Sequence, residues 1–162
     1  MMATTHALVG VALAVLVGSV FPESAAGTSL APVAAAGLGG LFPDFDLYTG
    51  HRRTLHFPVY FNVAAAVAAV GAVAAAAFAP DAALKVALAA LFLIAAGAHS
   101  AMDAVGGGLE LKPWLGESDR AVYSHHHGRW LRPRRWVRYD GAPEDLLVAV
   151  AAAAPVIHTL DG

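Results

Sequence analysis

Two apolar stretches, Phe57 to Ala79 and Ala82 to Ala104, constrain this chain most, because each is about the ~20 residues that a bilayer core requires. Pro80-Asp81 between them reads as the turn of a tight helical hairpin. Charged residues make up 14% of the 162-residue chain and hydrophobic ones 58%, whereas a typical soluble domain is roughly a quarter charged. The expected fold is therefore all-α: a multi-pass transmembrane bundle of about five helices. A soluble bundle of alanine-rich helices is the alternative. No cysteine is present, which excludes disulfides, thiolate metal sites and cysteine nucleophiles. A net charge of −2 gives no bulk attraction for nucleic acid.

Three further helices complete the bundle. Ala7 to Phe21 lacks a basic leader, which argues against a cleaved signal peptide, and Thr4 or Thr5 can cap it with His6 in the first turn. Pro22 and Glu23 end it. Leu30 to Phe42 is short, interrupted by Pro32, and its Gly37, Gly39 and Gly40 allow close backbone approach. Pro143 to Ile157 starts with Glu144 and Asp145, which complement a helix dipole. Residues 105–142 form a glycine-rich, then basic and aromatic insertion before this last helix. The whole chain, 1–162, reads as a single membrane-embedded domain.

Alternating spans with the N-terminus inside put nine of the ten Lys and Arg residues on the cytoplasmic side; Lys85 is the exception. That arrangement also brings His6, the segment from Asp44 to His56, and the His99 and Asp103 end of the fourth helix to the same face. His99 and Asp103 are four apart, so on a helix they share a face and can grip one ion or two neighbouring ions. Alone, such a pair can equally be a helix–helix hydrogen bond and a cap. Pro43-Asp44-Phe45-Asp46 is read as an extended turn whose two carboxylates point the same way and need a metal or the Arg52 and Arg53 guanidiniums to offset their repulsion. His56 is expected at the next helix entrance, with Thr54 as its cap, and His51 in the loop. His6 by itself is an ordinary helix-start residue and becomes a ligand only in this company. His125, His126 and His127 cannot all face one ion and read as a pH-sensitive or phosphate-facing patch. His158 reads as structural.

Thr5-His6 with Gly10, Gly40-Leu41-Phe42-Pro43-Asp44-Phe45-Asp46, His51-Arg52-Arg53-Thr54-Leu55-His56 and His99-x-x-x-Asp103 together resemble the YdjM-type membrane-bound metal-dependent hydrolases. The resemblance covers roughly Met1 to Trp114. It departs from the family pattern at Arg53, where glycine is usual, and at Phe57, where serine is usual. The tail, with Ser124-His125-His126-His127-Gly128-Arg129-Trp130, is similar to haloarchaeal members. A more distant similarity is to zinc-dependent phospholipase C, but no histidine here is followed four residues later by glutamate, so one or two ions are expected rather than three.

The resemblance implies metal-assisted hydrolysis of a phosphoester or lipid-type substrate at the cytoplasmic membrane face. A divalent ion, zinc from the mixed ligand set, would lower the pKa of water toward ~7. The expected ligands are His6, Asp46, His56, His99 and Asp103. Asp44 or His51 is the expected general base or orienter, and Arg52 and Arg53, with basic residues of the insertion, would hold an anionic group. Membrane lipids are the expected partners, and the tryptophans would anchor the insertion at the interface. A non-catalytic scaffold with a structural metal, or a metal or proton transporter, are the other readings; the near-pure Ala, Val and Leu of the span centres argue against transport.

Overall fold

The computed structural model describes residues 1–18 and 30–160. Five α-helices are found among them: α1 (Ala3–Gly18), α2 (Ala31–Leu41), α3 (Tyr60–Ala75), α4 (Pro80–Val105) and α5 (Pro143–Leu160). Helix α4 packs against α1, α2 and α3, and α1 also packs against α2 and α5. Among the buried positions of α4, Ala83, Ala90, Leu91, Ala95, His99 and Asp103 recur at helical spacing and form one inward stripe, with Ala96, Gly97 and Ser100 buried beside it. Ala14, Ala36, Leu91 and Ala95 make the core between α1, α2 and α4.

Small side chains let these three helices touch through their backbones. A Cβ at Gly10 would overlap the Ala36 carbonyl, one at Gly39 the Phe92 carbonyl, and one at Gly40 the His6 carbonyl. The glycine face of α2 is thus wedged between α1 and α4, which draws the His6 end of α1 toward the His99 end of α4. Pro32 does not interrupt this helix; it occupies the first turn of α2, where a missing N–H costs nothing.

Several boundaries differ from those read in the sequence. Helix α3 runs for 16 residues, starting after Pro58 and stopping at Ala75. The chain must leave the helical region before Pro80, and Ala79 lies outside it at φ −148°, ψ 71°. Pro80-Asp81 is not the turn but the start of α4. Among the described residues α4, with 26 residues, is long and apolar enough to cross a membrane, while α1 and α3 are apolar but shorter. The five expected spans therefore reduce to one helix that meets the length. Thr4 and Thr5 do not cap α1, since both lie inside it; the Asp145 carboxylate accepts the Met2 N–H instead, so the cap comes from α5. The expected end of α1 at Pro22 and Glu23 lies outside the described residues.

The insertion carries a 3-10 turn, Pro113–Leu115, and a short antiparallel pair, β1 (Tyr123–Ser124) and β2 (Arg129–Trp130), with Tyr123 opposite Trp130. It is stitched to the bundle by its backbone. Tyr123 donates to the Arg52 carbonyl at 2.9 Å, and the N–H groups of Arg134, Arg135 and Trp136 donate to Ala104, Gly106 and Val105 at the end of α4.

Candidate metal centre

Four elements deliver the site. Helix α1 supplies His6, the 3-10 turn Phe42–Asp46 supplies Asp44 and Asp46, the loop after it supplies His51, Arg52 and His56, and the last two turns of α4 supply His99 and Asp103. Pro43, at the start of the 3-10 turn, redirects the chain after α2. Asp44 and Asp46 sit in that turn, not in an extended segment. At three residues per turn, positions two apart diverge, so the two carboxylates serve different groups instead of sharing one side.

One ligand atom from each of Asp44, His56, His99 and Asp103 lies within 4.8 Å of all the others. His56 Nε2 is 3.2 Å from Asp103 Oδ2; His99 Nε2 is 3.4 Å from both Asp103 Oδ2 and Asp44 Oδ1. His56, His99 and Asp103 are buried, and Asp44 keeps 27% of its side chain exposed.

The far sides of the two imidazoles decide what this cluster can hold. His99 Nδ1 lies 2.6 Å from the Gly40 carbonyl, which can only accept, so Nδ1 carries the hydrogen. His56 Nδ1 is 3.1 Å from Asp46 Oδ2, which assigns its hydrogen in the same way. With Nδ1 occupied in this way, it is Nε2 of each ring that faces the carboxylate oxygens and offers the atom a metal would take, and His99 Nε2 has no hydrogen-bond partner. Converging buried acceptors repel unless a proton or a metal ion sits among them. Two imidazoles and two carboxylates are a donor set that suits a divalent ion such as zinc. These residues could hold a metal ion.

Asp46 is wrapped by donors: His51 Nδ1 at 3.0 Å and the Arg52 N–H at 3.3 Å reach Oδ1, while the Leu55 N–H at 3.0 Å and His56 Nδ1 reach Oδ2. Burial favours the neutral acid, but the Leu55 N–H and the two histidines outweigh it and hold the Asp46 carboxyl below the usual range. Its contribution to stability is therefore complete above the ordinary carboxylate pKa and is lost as pH falls through the lower folded value. With its oxygens taken, Asp46 aims His56 instead of joining the four converging atoms. Asp46→Asn is expected to weaken metal affinity about 10–100-fold, as loss of such an orienting carboxylate does elsewhere. Competition against a chromophoric chelator measures this, and unchanged affinity would remove Asp46 from that role.

His6 stacks on His99 with ring centroids 3.6 Å apart and places Nε2 3.2 Å from Asp103 Oδ1, the oxygen turned away from His56 and His99. The amino nitrogen of Met1 lies 3.1 Å from the same oxygen. Arg52 is buried; its Nη1 donates to the Gly107 carbonyl at 2.8 Å and its Nε lies 3.4 Å from Asp103 Oδ2. It is a fixed counter-charge, in an uncommon left-handed conformation at φ 60°, so the solvent-facing cation of the pair is Arg53. The Arg53 guanidinium sits 4.8 Å over the Tyr123 ring.

His51, held on Asp46, is 22% exposed, and Asp44 is the partly open member of the cluster. His125 Nε2 contacts the Arg53 carbonyl at 2.7 Å, and His127 Nδ1 the Ser124 hydroxyl at 2.8 Å. Neither belongs to the converging group, nor does His126, which packs edge-on to Tyr60. His158 lies in the last turn of α5. Two contributors were not anticipated from sequence: the Gly40 carbonyl, which leaves no side-chain signal, and Arg52 as the buried partner of Asp103. No protein-family model, curated protein or solved structure matches the chain.

Proposed function

We propose that the chain is a membrane-embedded metal-dependent hydrolase acting on a phosphoester or lipid-type substrate at the cytoplasmic face, as the resemblance to YdjM-type proteins implies. The observation that carries this reading is the convergence of Asp44, His56, His99 and Asp103 beside a partly open histidine that is already paired to a carboxylate. Those four residues would hold zinc, with Asp46 and the Gly40 carbonyl orienting the imidazoles. When bound, such an ion acts as a Lewis acid that acidifies water and polarises a phosphoryl or acyl oxygen. His51, its Nδ1 held on Asp46, presents Nε2 as the place where a proton from the attacking water is held. Arg53 faces solvent as a contact for an anionic group. Four ligand atoms converging within 4.8 Å of one another suit a single ion.

Membrane placement rests on α4 and on the outer face of α3, where Val63, Val67, Val70 and Val73 are exposed in a row at helical spacing. Four large apolar side chains along one face suit lipid better than water. The same pattern supports burying the shorter apolar helices in the bilayer beside α4. Cytoplasmic placement of the metal face rests on the distribution of Lys and Arg.

A structural metal site in a non-catalytic scaffold is the second reading, favoured by the burial of His56, His99 and Asp103. His51→Ala separates the two. In the hydrolase it is expected to keep its metal and to lose about 10²–10⁴-fold in kcat toward phosphomonoesters, phosphodiesters or phospholipids. If zinc-reconstituted wild type turns over none of these, the scaffold reading stands.

A further inference from the structure

Helix α4 ends at Val105, and the Val105 carbonyl accepts the Trp136 N–H at 3.0 Å. Whatever depth the end of α4 occupies, Trp136 occupies too. Arg135, next to it, donates from Nη2 to the Gly116 carbonyl at 2.6 Å and to the Ser118 carbonyl at 2.7 Å. That guanidinium ties the turn around Pro113–Leu115 to the strip that carries Trp136, so two distant stretches of the insertion form one knuckle. Its large apolar side chains face outward: Leu111 is fully exposed, Trp114 65%, Leu115 52% and Trp136 72%.

Such a patch is costly in water unless something covers it. Lys112 and Arg134 flank it and have no ion-pair partner among the described residues, whereas Arg132 is near Asp119 and Arg138 pairs with Glu144. Apolar tips with unpaired cations at their base suit a bilayer whose surface is anionic, with tryptophan at the headgroup level and Lys and Arg against lipid phosphates. Trp130 differs, because it packs on Tyr123 and lies under the Arg120 guanidinium.

We infer that the Leu111, Trp114, Leu115 and Trp136 knuckle docks into an anionic lipid leaflet and holds the end of α4, and with it Asp103, at the membrane surface. The inference rests on the reading that α4 spans the membrane, and not on hydrolysis. Asp103 lies two residues before the end of α4, within about 3 Å of axial rise. The insertion is then a clamp that fixes the height of the metal face.

The test uses full-length chains that each keep one tryptophan, the other two replaced by phenylalanine, reconstituted into phosphatidylcholine vesicles with phosphatidylglycerol. With lipids brominated in the upper acyl chain, emission of the Trp114-only and Trp136-only chains is expected to fall about two-fold, and that of the Trp130-only chain to change little. Leu111→Asp, at a fully exposed position with no packing to lose, and Lys112→Gln with Arg134→Gln should each reduce the quenching of Trp114. Quenching of Trp114 and Trp136 no greater than that of Trp130 would overturn the inference. Protein that stays in the aqueous phase without the vesicles would overturn both the inference and the membrane reading. Absence of metal in the same preparation would count against the hydrolase and leave the quenching result standing.

Discussion

Asp103→Ala is expected to lose bound metal beyond detection and to lower stability by about 3–5 kcal/mol, the cost of leaving one member of a buried ion pair alone. Both effects come from the position of one carboxylate. Asp103 Oδ2 faces His56, His99 and the Arg52 guanidinium, and Oδ1 faces His6. Without it, the converging atoms drop to three and the buried Arg52 keeps only the half-exposed Asp140, 3.8 Å from its Nη2, as counter-charge. Adding Arg52→Met to Asp103→Ala removes that charge, so the double variant should regain most of the stability and none of the metal. Chemical denaturation in detergent beside elemental analysis separates the two losses. Full metal content in Asp103→Ala would contradict the site.

The second large effect is expected from a single methyl group. In Gly40→Ala the new Cβ would overlap the His6 carbonyl carbon and oxygen, which belong to a helix backbone and cannot rotate away. Helices α1 and α2 must separate, at about 3 kcal/mol, the upper end of ordinary overpacking costs. The carbonyl of the same residue holds His99 Nδ1, so the shift also misaims a metal ligand. Gly71→Ala is the control: its Cβ would meet only Val86 Cγ1 at 3.9 Å, an ordinary contact. There the substitution should stabilise α3 by about 0.5–1 kcal/mol, the intrinsic preference of a helix interior for alanine. Equal thermal stability of the two variants would mean that the α1–α2 contact is not close-packed.

The helical character of the chain and the meeting of His56, His99 and Asp103 were legible because apolar periodicity and residue type carry them. The roles of Asp44 and Asp46 were not. An Asp-x-Asp after a helix reads as an extended pair, but Pro43 and the preceding helix continue into a 3-10 turn, which sends one carboxylate to the cluster and the other into the His51-to-His56 loop. Arg52 was expected to hold an anionic group or to offset the repulsion between Asp44 and Asp46; only its long-range partners Asp103 and Gly107 reveal it as a buried counter-charge. The length of α3 was overread because an alanine run gives no stop signal, whereas the restriction that Pro80 places on Ala79 acts on the backbone. The β1–β2 pairing in the insertion spans two residues per strand, too short for any alternation to show.

The central claim is that Asp44, His56, His99 and Asp103 hold one divalent ion, and elemental analysis of the detergent-purified protein beside its His99→Ala and His51→Ala variants tests it most directly. The account predicts about one equivalent of metal in wild type and in His51→Ala, and none in His99→Ala, which removes one of four ligands. Metal retained in full by His99→Ala, or no metal in wild type after reconstitution with zinc, would contradict it.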